Sequence, residues 1–130
     1  MKEFSKKDIG NFGEKTCVEY IKKQGFKILA LNSTLGHLET DIIATNKTHI
    51  LFVEVKTRRA DKNNYSRPAD AVNTAKRTNL LKFAYYYIKT LPPKHASKQP
   101  RMDVCEITVE SKDDKLAVCD FNYIENAFSR

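Results

Sequence analysis

The chain has 130 residues, of which 41% are hydrophobic and 30% are charged, and its formal net charge at pH 7 is +7. This length fits one domain over residues 1–130 with a single modest core. No run of 18 or more apolar residues occurs, which argues against a membrane span, and the N-terminus "MKEFSKKDIGNFGEK" lacks the apolar segment of a secretion signal. We therefore expect a cytoplasmic protein with no membrane partner.

Positive charge is unevenly distributed along the chain. Residues 1–102 hold 20 Lys and Arg against 9 Asp and Glu, a balance of +11, whereas residues 103–130 hold 3 against 7, a balance of −4. A basic surface favours a polyanionic partner, and phosphate backbones are the usual one. Charge alone does not separate this interpretation from a surface that only keeps the protein in solution.

The first half of the chain predicts one helix followed by three strands. Residues 8–24 have a helical pattern, with Asp8 as the expected N-cap and Gly25 as the residue that ends the helix. Alternating apolar residues predict strands over residues 26–31, 39–45 and 48–57. The dipeptide Asn46-Lys47 is expected to form the turn that joins the second strand to the third.

The second half predicts a long helix, two further strands and a short closing helix. Pro68 suits the first turn of a helix that reaches about Leu91, where Pro92 and Pro93 end it. Strands are predicted over residues 101–110 and 115–119, and the closing helix over residues 122–128. The order α-β-β-β-α-β-β-α is typical of an α/β domain with one mixed sheet flanked by helices.

The third predicted strand carries charged residues within an apolar sequence, "LFVEVKTRR" at residues 51–59. Strand side chains alternate between faces, so Glu54 and Lys56 share a face with Phe52. If the hairpin turn has an even number of residues, Asp41 lies across from Phe52 or Glu54, on that same face. Three ionisable groups then converge on a buried hairpin, where an unpaired charge costs on the order of several kcal/mol.

Two charged residues interrupt apolar stripes on the predicted helices. Glu14 lies on the stripe of Val18 and Ile21, which follow it by four and seven residues. On the long helix, Lys76 lies on a stripe with Val72, Leu80, Phe83 and Tyr87. Taken alone, each has an ordinary explanation, because the helix dipole favours an early Glu and a lysine stem can pack while its ammonium reaches water.

Two carboxylates beside a lysine suit metal-assisted hydrolysis of a phosphodiester. Mg²⁺ (or Mn²⁺) takes oxygen ligands, few of them from the protein. Asp41 and Glu54 would supply two ligands and the Val55 carbonyl a third, while Lys56 would orient a water or stabilise charge on the phosphate. The structural alternative is a buried ion pair of Lys56 with one carboxylate, but it leaves the second carboxylate without an obvious partner.

These residues belong to an ordered set of motifs that spans residues 10–128. The set is "GNFGE" at 10–14, "ETDIIA" at 39–44, "FVEVKTR" at 52–58, "AVNTAK" at 71–76, "RMDV" at 101–104 and "ENAF" at 125–128. Asp41 with Glu54-Val55-Lys56 resembles the D…(D/E)xK signature of nucleases with the restriction-endonuclease-like fold. The whole set resembles the YraN-type uncharacterised family, which is predicted to be related to Holliday-junction resolvases.

The resemblance implies the restriction-endonuclease-like fold and a set of active-site positions. By motif, Asp41, Glu54 and Lys56 would form the catalytic core, and Glu14 would add an acidic residue from the first helix. Lys76 would then point toward the same place as Glu14. For Arg101 and Asp103, which match a further motif, we expect a structural ion pair.

The loop after the third strand supplies candidate DNA contacts, namely Arg58, Arg59, Lys62 and Arg67. Guanidinium groups are well suited to clamp phosphates because they bond two oxygens at once. A second basic loop, residues 94–101, is placed to contact the backbone on another side. No pattern of a base-reading helix occurs, so we expect contacts with phosphates rather than with a base sequence.

We therefore expect a metal-dependent endonuclease that hydrolyses DNA phosphodiester bonds, with branched or structured DNA as the candidate substrate. The alternative is a nucleic-acid-binding module that keeps the nuclease fold but does not cut, and the intact Asp41, Glu54 and Lys56 favour the enzyme. A structural domain without a nucleic-acid partner ranks last, because it leaves the charge pattern unexplained. Resolvases of this general fold act as dimers, and by that analogy we expect a homodimer. The long helix carries more aromatic residues than one helix face needs for packing: Phe83, Tyr85, Tyr86 and Tyr87.

Overall fold

A computed structural model describes residues 3–60 and 74–127 of the chain. Its elements in chain order are α1 (Lys6–Lys23), β1 (Lys27–Leu35), β2 (Leu38–Thr45), β3 (His49–Arg59), α2 (Thr74–Ile88), a 3₁₀ turn (Pro93–His95), β4 (Gln99–Lys112) and β5 (Lys115–Ile124). The order α-β-β-β-α-β-β agrees with the predicted order as far as the last strand.

The five strands form one mixed sheet in the order β1-β2-β3-β4-β5. Neighbouring strands are antiparallel except β3 and β4, which run parallel. A parallel pair needs a long crossover connection, and the chain between β3 and β4 includes α2. This confirms the predicted α/β domain with a mixed sheet flanked by helices, an arrangement compatible with a restriction-endonuclease-like nuclease fold.

Each face of the sheet packs against one helix. On one face, Ile21 of α1 belongs to the same buried cluster as Val53 of β3. On the other face, Phe83 of α2 meets Phe52 of β3 edge to face, with ring centroids 6.2 Å apart. Burying side chains of this size contributes roughly 1.5–3 kcal/mol each. The first half of β3 is packed on both faces, and this positions the charged residues that follow on the same strand.

The N-terminus of α1 differs from the prediction. Ser5, not Asp8, is the N-cap, and the two form a capping box in which Asp8 N–H donates to Ser5 Oγ over 3.0 Å and Ser5 N–H donates to the Asp8 carboxylate over 2.9 Å. The box satisfies two N–H groups at once, which explains why the helix starts earlier. The predicted end is confirmed, because Gly25 has φ +94° and donates to the Lys22 carbonyl.

The predicted closing helix is wrong over the described residues. Residues 122–124 belong to β5, and a turn follows in which Asn126 has φ 51°. Tertiary contacts hold this segment extended: the ring of Tyr123 packs at a tilt against Tyr20 of α1, with ring centroids 4.9 Å apart, and Asn126 N–H donates to Asp103. These contacts override the local helical pattern.

The long helix ends at Ile88, three residues before the predicted end. Its predicted first residues, from Pro68 to Asn73, lie outside the described residues. No helix within residues 3–60 and 74–127 is both long enough and apolar enough to cross a membrane.

Candidate active site

The hairpin of β2 and β3 brings Asp41 and Glu54 to corresponding positions. Thr45 pairs with Ile50, and Ile42 pairs with Val53. Four residues therefore separate the paired Thr45 and Ile50 instead of the expected two, and the even number keeps the predicted parity. Continuing the same register by one residue places Asp41 across from Glu54.

The sheet divides at this point. Pairing between β2 and β3 ends at Ile42 and Val53, whereas β2 stays paired with β1 to Leu38 and β3 stays paired with β4 to Arg59. Two residues beyond the last pair, the Val55 N–H donates to the Asp41 carboxylate over 2.8 Å. The Asp41 carboxylate thus accepts from a backbone N–H that no longer has a partner on β2. This bond fixes Asp41 between the separating strands.

Glu54 lies between two lysines. Its Oε1 is 3.9 Å from Lys56 Nζ and 3.7 Å from Lys76 Nζ, while the Glu54 side chain is 19% exposed. Both distances are longer than a direct hydrogen bond, so the contacts are electrostatic. Lys76 reaches this position from the first turn of α2, with a side chain that is 43% exposed. The structure therefore brings Lys76 to Glu54, as the sequence indicated.

Glu14 approaches from α1 on the other side of the division. Its carboxylate accepts a hydrogen bond from the Asn32 side chain over 3.0 Å. Its neighbour Gly13 lies so close to β3 that a Cβ there would overlap the side chain of Thr57. Only glycine allows this approach, and the approach brings Glu14 near enough to Asp41 for their charges to repel.

Burial and mutual repulsion raise the pKa values of the carboxyl groups. Burial raises the pKa of Glu54 from 4.5 to about 7, with a further increase from Asp41, against the opposing effect of Lys76 and Lys56. The pKa of Asp41 is raised mainly by burial, against the Val55 N–H bond. Burial likewise raises the pKa of Glu14. The two lysines therefore lower the pKa values of Asp41 and Glu54 by less than burial raises them.

The pKa of Lys56 is lowered, first by burial and then by Lys76. A lysine of this kind gives up a proton more readily than one in water. Lys56 is thus a candidate for orienting a water or handling a proton beside the carboxylates.

A cleft of about 620 Å³ opens beside Asp41. Its wall includes two of the predicted acidic residues, Glu14 and Asp41, together with Val55 and Lys56, and four basic residues surround them: Lys6, Lys7, Arg58 and Arg59. Glu54 is not part of the wall, since it lies with Lys76 on the α2 side of the division. Asp41 and Lys56 line the cleft and also lie close enough to Glu54 to affect its charge.

Three charged residues at the site were not assigned from the sequence. Lys6 and Lys7 stand in the first turn of α1 and line the cleft. Glu39 raises the pKa values of both Asp41 and Glu54 through its charge. Its signal was present in the alternation Glu39-Thr40-Asp41, which places Glu39 and Asp41 on one face of β2.

Two of the predicted DNA contacts, Lys62 and Arg67, lie outside the described residues. Arg101 and Asp103 form the expected structural pair. The fully buried Asp103 accepts bonds from the Arg101 guanidinium at 3.0 Å, from Tyr123 Oη at 2.6 Å and from Asn126 N–H at 2.9 Å. These donors occupy its oxygens, so Asp103 ties β4 to β5.

The donor set fits a hard cation with few protein ligands. Within the described residues, no group of three or more His, Cys, Asp or Glu side chains is arranged to hold a metal ion. Asp41 and Glu54 supply two carboxylates whose pKa values are raised mainly by burial, so their ionised forms lack the stabilisation that water or a bound cation would give. The N–H and C=O of one strand residue point to the same side, so the Val55 carbonyl points toward Asp41 as its N–H does. Few ligands of this type match Mg²⁺.

A comparison with known protein families matches residues 13–107 to the model of the uncharacterised protein family UPF0102. The chain belongs to this family. A UPF0102 protein of Caldanaerobacter subterraneus subsp. tengcongensis is 39% identical over 128 residues, which cover 98% of this chain and 100% of that one. UPF0102 proteins of Caldicellulosiruptor saccharolyticus and Clostridium acetobutylicum are 39% and 40% identical and cover 95% and 94% of this chain. The matched range contains Asp41, Glu54, Lys56 and Lys76.

Proposed function

We propose that the protein is a Mg²⁺- or Mn²⁺-dependent endonuclease that hydrolyses phosphodiester bonds of DNA, with branched or structured DNA as its substrate. One observation carries the proposal. Asp41 and Glu54, two half-buried carboxylates whose pKa values stay raised despite the nearby lysines, converge with Lys56 beside a cleft rimmed by basic residues. A cation and a phosphate complement this arrangement of charges.

Asp41, Glu54 and the Val55 carbonyl are the residues that would hold the cation. When bound, a divalent ion supplies a Lewis acid that polarises the phosphate and lowers the pKa of a water. The hydrogen bond from Val55 N–H keeps one oxygen of Asp41 aimed into the division of the sheet. A cation bound there would also offset the repulsion by Asp41, which adds to the effect of burial in raising the pKa of Glu54.

Lys56 and the basic rim would act on the DNA. Lys56 lies on the strand face of Glu54 and lines the cleft, so its amine reaches a water or a phosphate oxygen bound there. Arg58 and Arg59 line the same cleft, and each guanidinium is suited to bind two oxygens of one phosphate. Lys62 and Arg67 follow in the same loop of the sequence and extend the proposed contact. Glu14 and Lys76 are proposed to act as positioning residues, through Asp41 and Glu54.

A second function is favoured by the two lysine contacts of Glu54. If these ion pairs are structural, the same fold is a nucleic-acid-binding module that does not cut, since the basic rim suffices for phosphate contacts. The cytoplasmic location also belongs to the proposal. We also propose a homodimer. Tyr85 and Tyr86 of α2, which are 59% and 54% exposed, are available for a dimer contact, whereas Phe83 and Tyr87 pack in the core.

A cleavage panel tests the proposed function. Purified protein is incubated with linear duplex, single-stranded, flapped and four-way DNA, with Mg²⁺, with Mn²⁺ or with EDTA. We expect metal-dependent cleavage that is fastest on the flapped or four-way DNA and absent in EDTA. Binding of every DNA without cleavage of any, in either metal, would instead assign the protein to the binding modules.

A further inference from the structure

A second basic cleft lies at the opposite end of β3 from the candidate active site. It has a volume of about 710 Å³ and forms where the start of β1, the β2–β3 turn and the segment before β4 meet. Four lysines line it, and no Asp or Glu does: Lys27, Lys47, Lys94 and Lys98. None of the ion pairs within residues 3–60 and 74–127 involves these lysines. Positive charge is therefore displayed without a carboxylate to neutralise it in that part of the chain.

Hydrogen bonds brace the walls of this lysine cleft. The Lys98 ammonium donates to Thr45 Oγ1 over 2.9 Å, and Gln99 N–H donates to the Thr48 carbonyl over 2.8 Å. The first bond joins the residue before β4 to the end of β2, and the second joins the start of β4 to the β2–β3 turn. An ammonium has three donors, so the bond to Thr45 orients Lys98 without exhausting it. The charges thus stand on a fixed surface.

Two elements give the distance between the clefts. Val55 follows Thr48 by seven residues, which at about 3.3 Å per residue of strand is about 23 Å. The 18 residues of α1 begin at the first cleft and end just before the second, and at about 1.5 Å per residue they span about 27 Å. Base pairs are stacked about 3.4 Å apart in DNA, so these distances correspond to about seven or eight base pairs.

We propose that the lysine cleft binds a second stretch of DNA backbone, about 23–27 Å from the phosphate at the candidate active site. The inference rests on the proposed function for its role in catalysis, although binding itself requires no cleavage. Lysine ammonium groups contact phosphates as point charges, without reading bases. A protein that holds DNA at both ends of its sheet favours substrates whose backbone extends at least about 23–27 Å from the cut.

Binding to a labelled duplex of about 30 base pairs in EDTA, over a range of salt concentrations, tests the proposal. Lys47 and Lys94 are exposed, so Lys47→Ala/Lys94→Ala should fold as the wild type does. We expect about tenfold weaker binding or more at about 0.15 M salt, and a salt slope smaller by about 1.8, since each phosphate contact contributes about 0.9. The matched control Lys112→Ala/Lys115→Ala removes two exposed charges at the β4–β5 turn and should change the slope by less than about 0.5.

Phosphate-ethylation interference on the same duplex locates the contact. The wild type should show two groups of sensitive phosphates, about seven or eight base pairs apart, and the Lys47→Ala/Lys94→Ala variant should lose one group and keep the other. The proposal is overturned if the variant and the wild type give the same pattern, or if the control loses as much affinity. It is also overturned if the variant loses binding to anionic phospholipid vesicles but not to DNA. Two groups of phosphates with no cleavage in any metal would support this inference while removing the proposed nuclease function.

Discussion

The carboxylate of Asp41 accepts a 2.8 Å hydrogen bond from the backbone N–H of Val55, fourteen residues later in the chain. This bond stands where the pairing of β2 and β3 stops. A backbone donor left by the dividing strands would otherwise need water or another partner. The position of the Asp41 carboxylate therefore depends on the separation of β2 from β3. Glu54 and Lys56 lie on either side of Val55 in β3.

The pH dependence of stability should reveal the cost of burying Glu54. Its pKa is raised from 4.5 to about 7 in the folded protein, so the folded state keeps a proton that the unfolded state has lost over that range. Stability should thus fall as pH rises from about 4.5 to about 7, by up to about 3 kcal/mol for this group at about 1.4 kcal/mol per pKa unit. Asp41 and Glu14, whose pKa values are also raised, act in the same direction.

Glu54→Gln should lose that fall, because glutamine keeps the shape without the charge. Urea unfolding in EDTA should find the variant as stable as the wild type near pH 4.5 and more stable near pH 8. Glu19→Gln, at an exposed position of α1, serves as the control and should change stability by less than about 0.5 kcal/mol. A loss of about 3–5 kcal/mol in Glu54→Gln at pH 8 would show instead that Glu54 neutralises the lysines as a structural ion pair.

Divalent ions should stabilise the wild type. A cation relieves the repulsion between Asp41 and Glu54, and a ligand at ten times its dissociation constant adds about 1.4 kcal/mol of stability. For a chain of this size, Mg²⁺ or Mn²⁺ should then raise the melting temperature by about 4 °C. Thermal melts of wild type and Glu54→Gln decide the point, since the rise should be absent from the variant. Equal rises in both proteins would place the ion elsewhere.

Two glycines of α1 should respond oppositely to alanine. A Cβ on Gly13 would overlap Thr57, so Gly13→Ala should push α1 from β3 and cost about 1–3 kcal/mol. Gly10 has no atom within 4 Å of its would-be Cβ, so Gly10→Ala should gain up to about 1 kcal/mol from helix propensity. Denaturant midpoints of the two variants compare the same substitution in one helix. Similar effects at both positions would contradict the close approach of α1 and β3.

Arg58 and Arg59 should contribute to affinity without contributing to sequence preference. Replacing both by alanine should weaken binding to all DNAs by a similar factor and reduce the salt slope by about 1.8. Fluorescence anisotropy at several salt concentrations measures both quantities, with Lys112→Ala/Lys115→Ala as the control of equal charge. Loss confined to one base sequence would argue against backbone contacts at this cleft.

The common face of Asp41 and Glu54 could be predicted because strand alternation and an even turn determine which side chains share a side. Their exact register could not, since a turn of four residues shifts the pairing by two from a turn of two. The extended conformation of residues 122–124 could not be predicted either, because it depends on contacts of Tyr123 with Tyr20 and Asp103, which are distant in sequence.

The decisive measurement for the nuclease function is cleavage of flapped and four-way DNA by wild type and Glu54→Gln, purified side by side and titrated with Mg²⁺. We expect wild-type cleavage that rises with Mg²⁺ and saturates. We expect cleavage by the variant to be slower by about 100-fold or more, which corresponds to a barrier higher by roughly 2.7 kcal/mol, with DNA affinity in EDTA unchanged within about twofold. No wild-type cleavage at any Mg²⁺ concentration, or equal cleavage by both proteins, would contradict it.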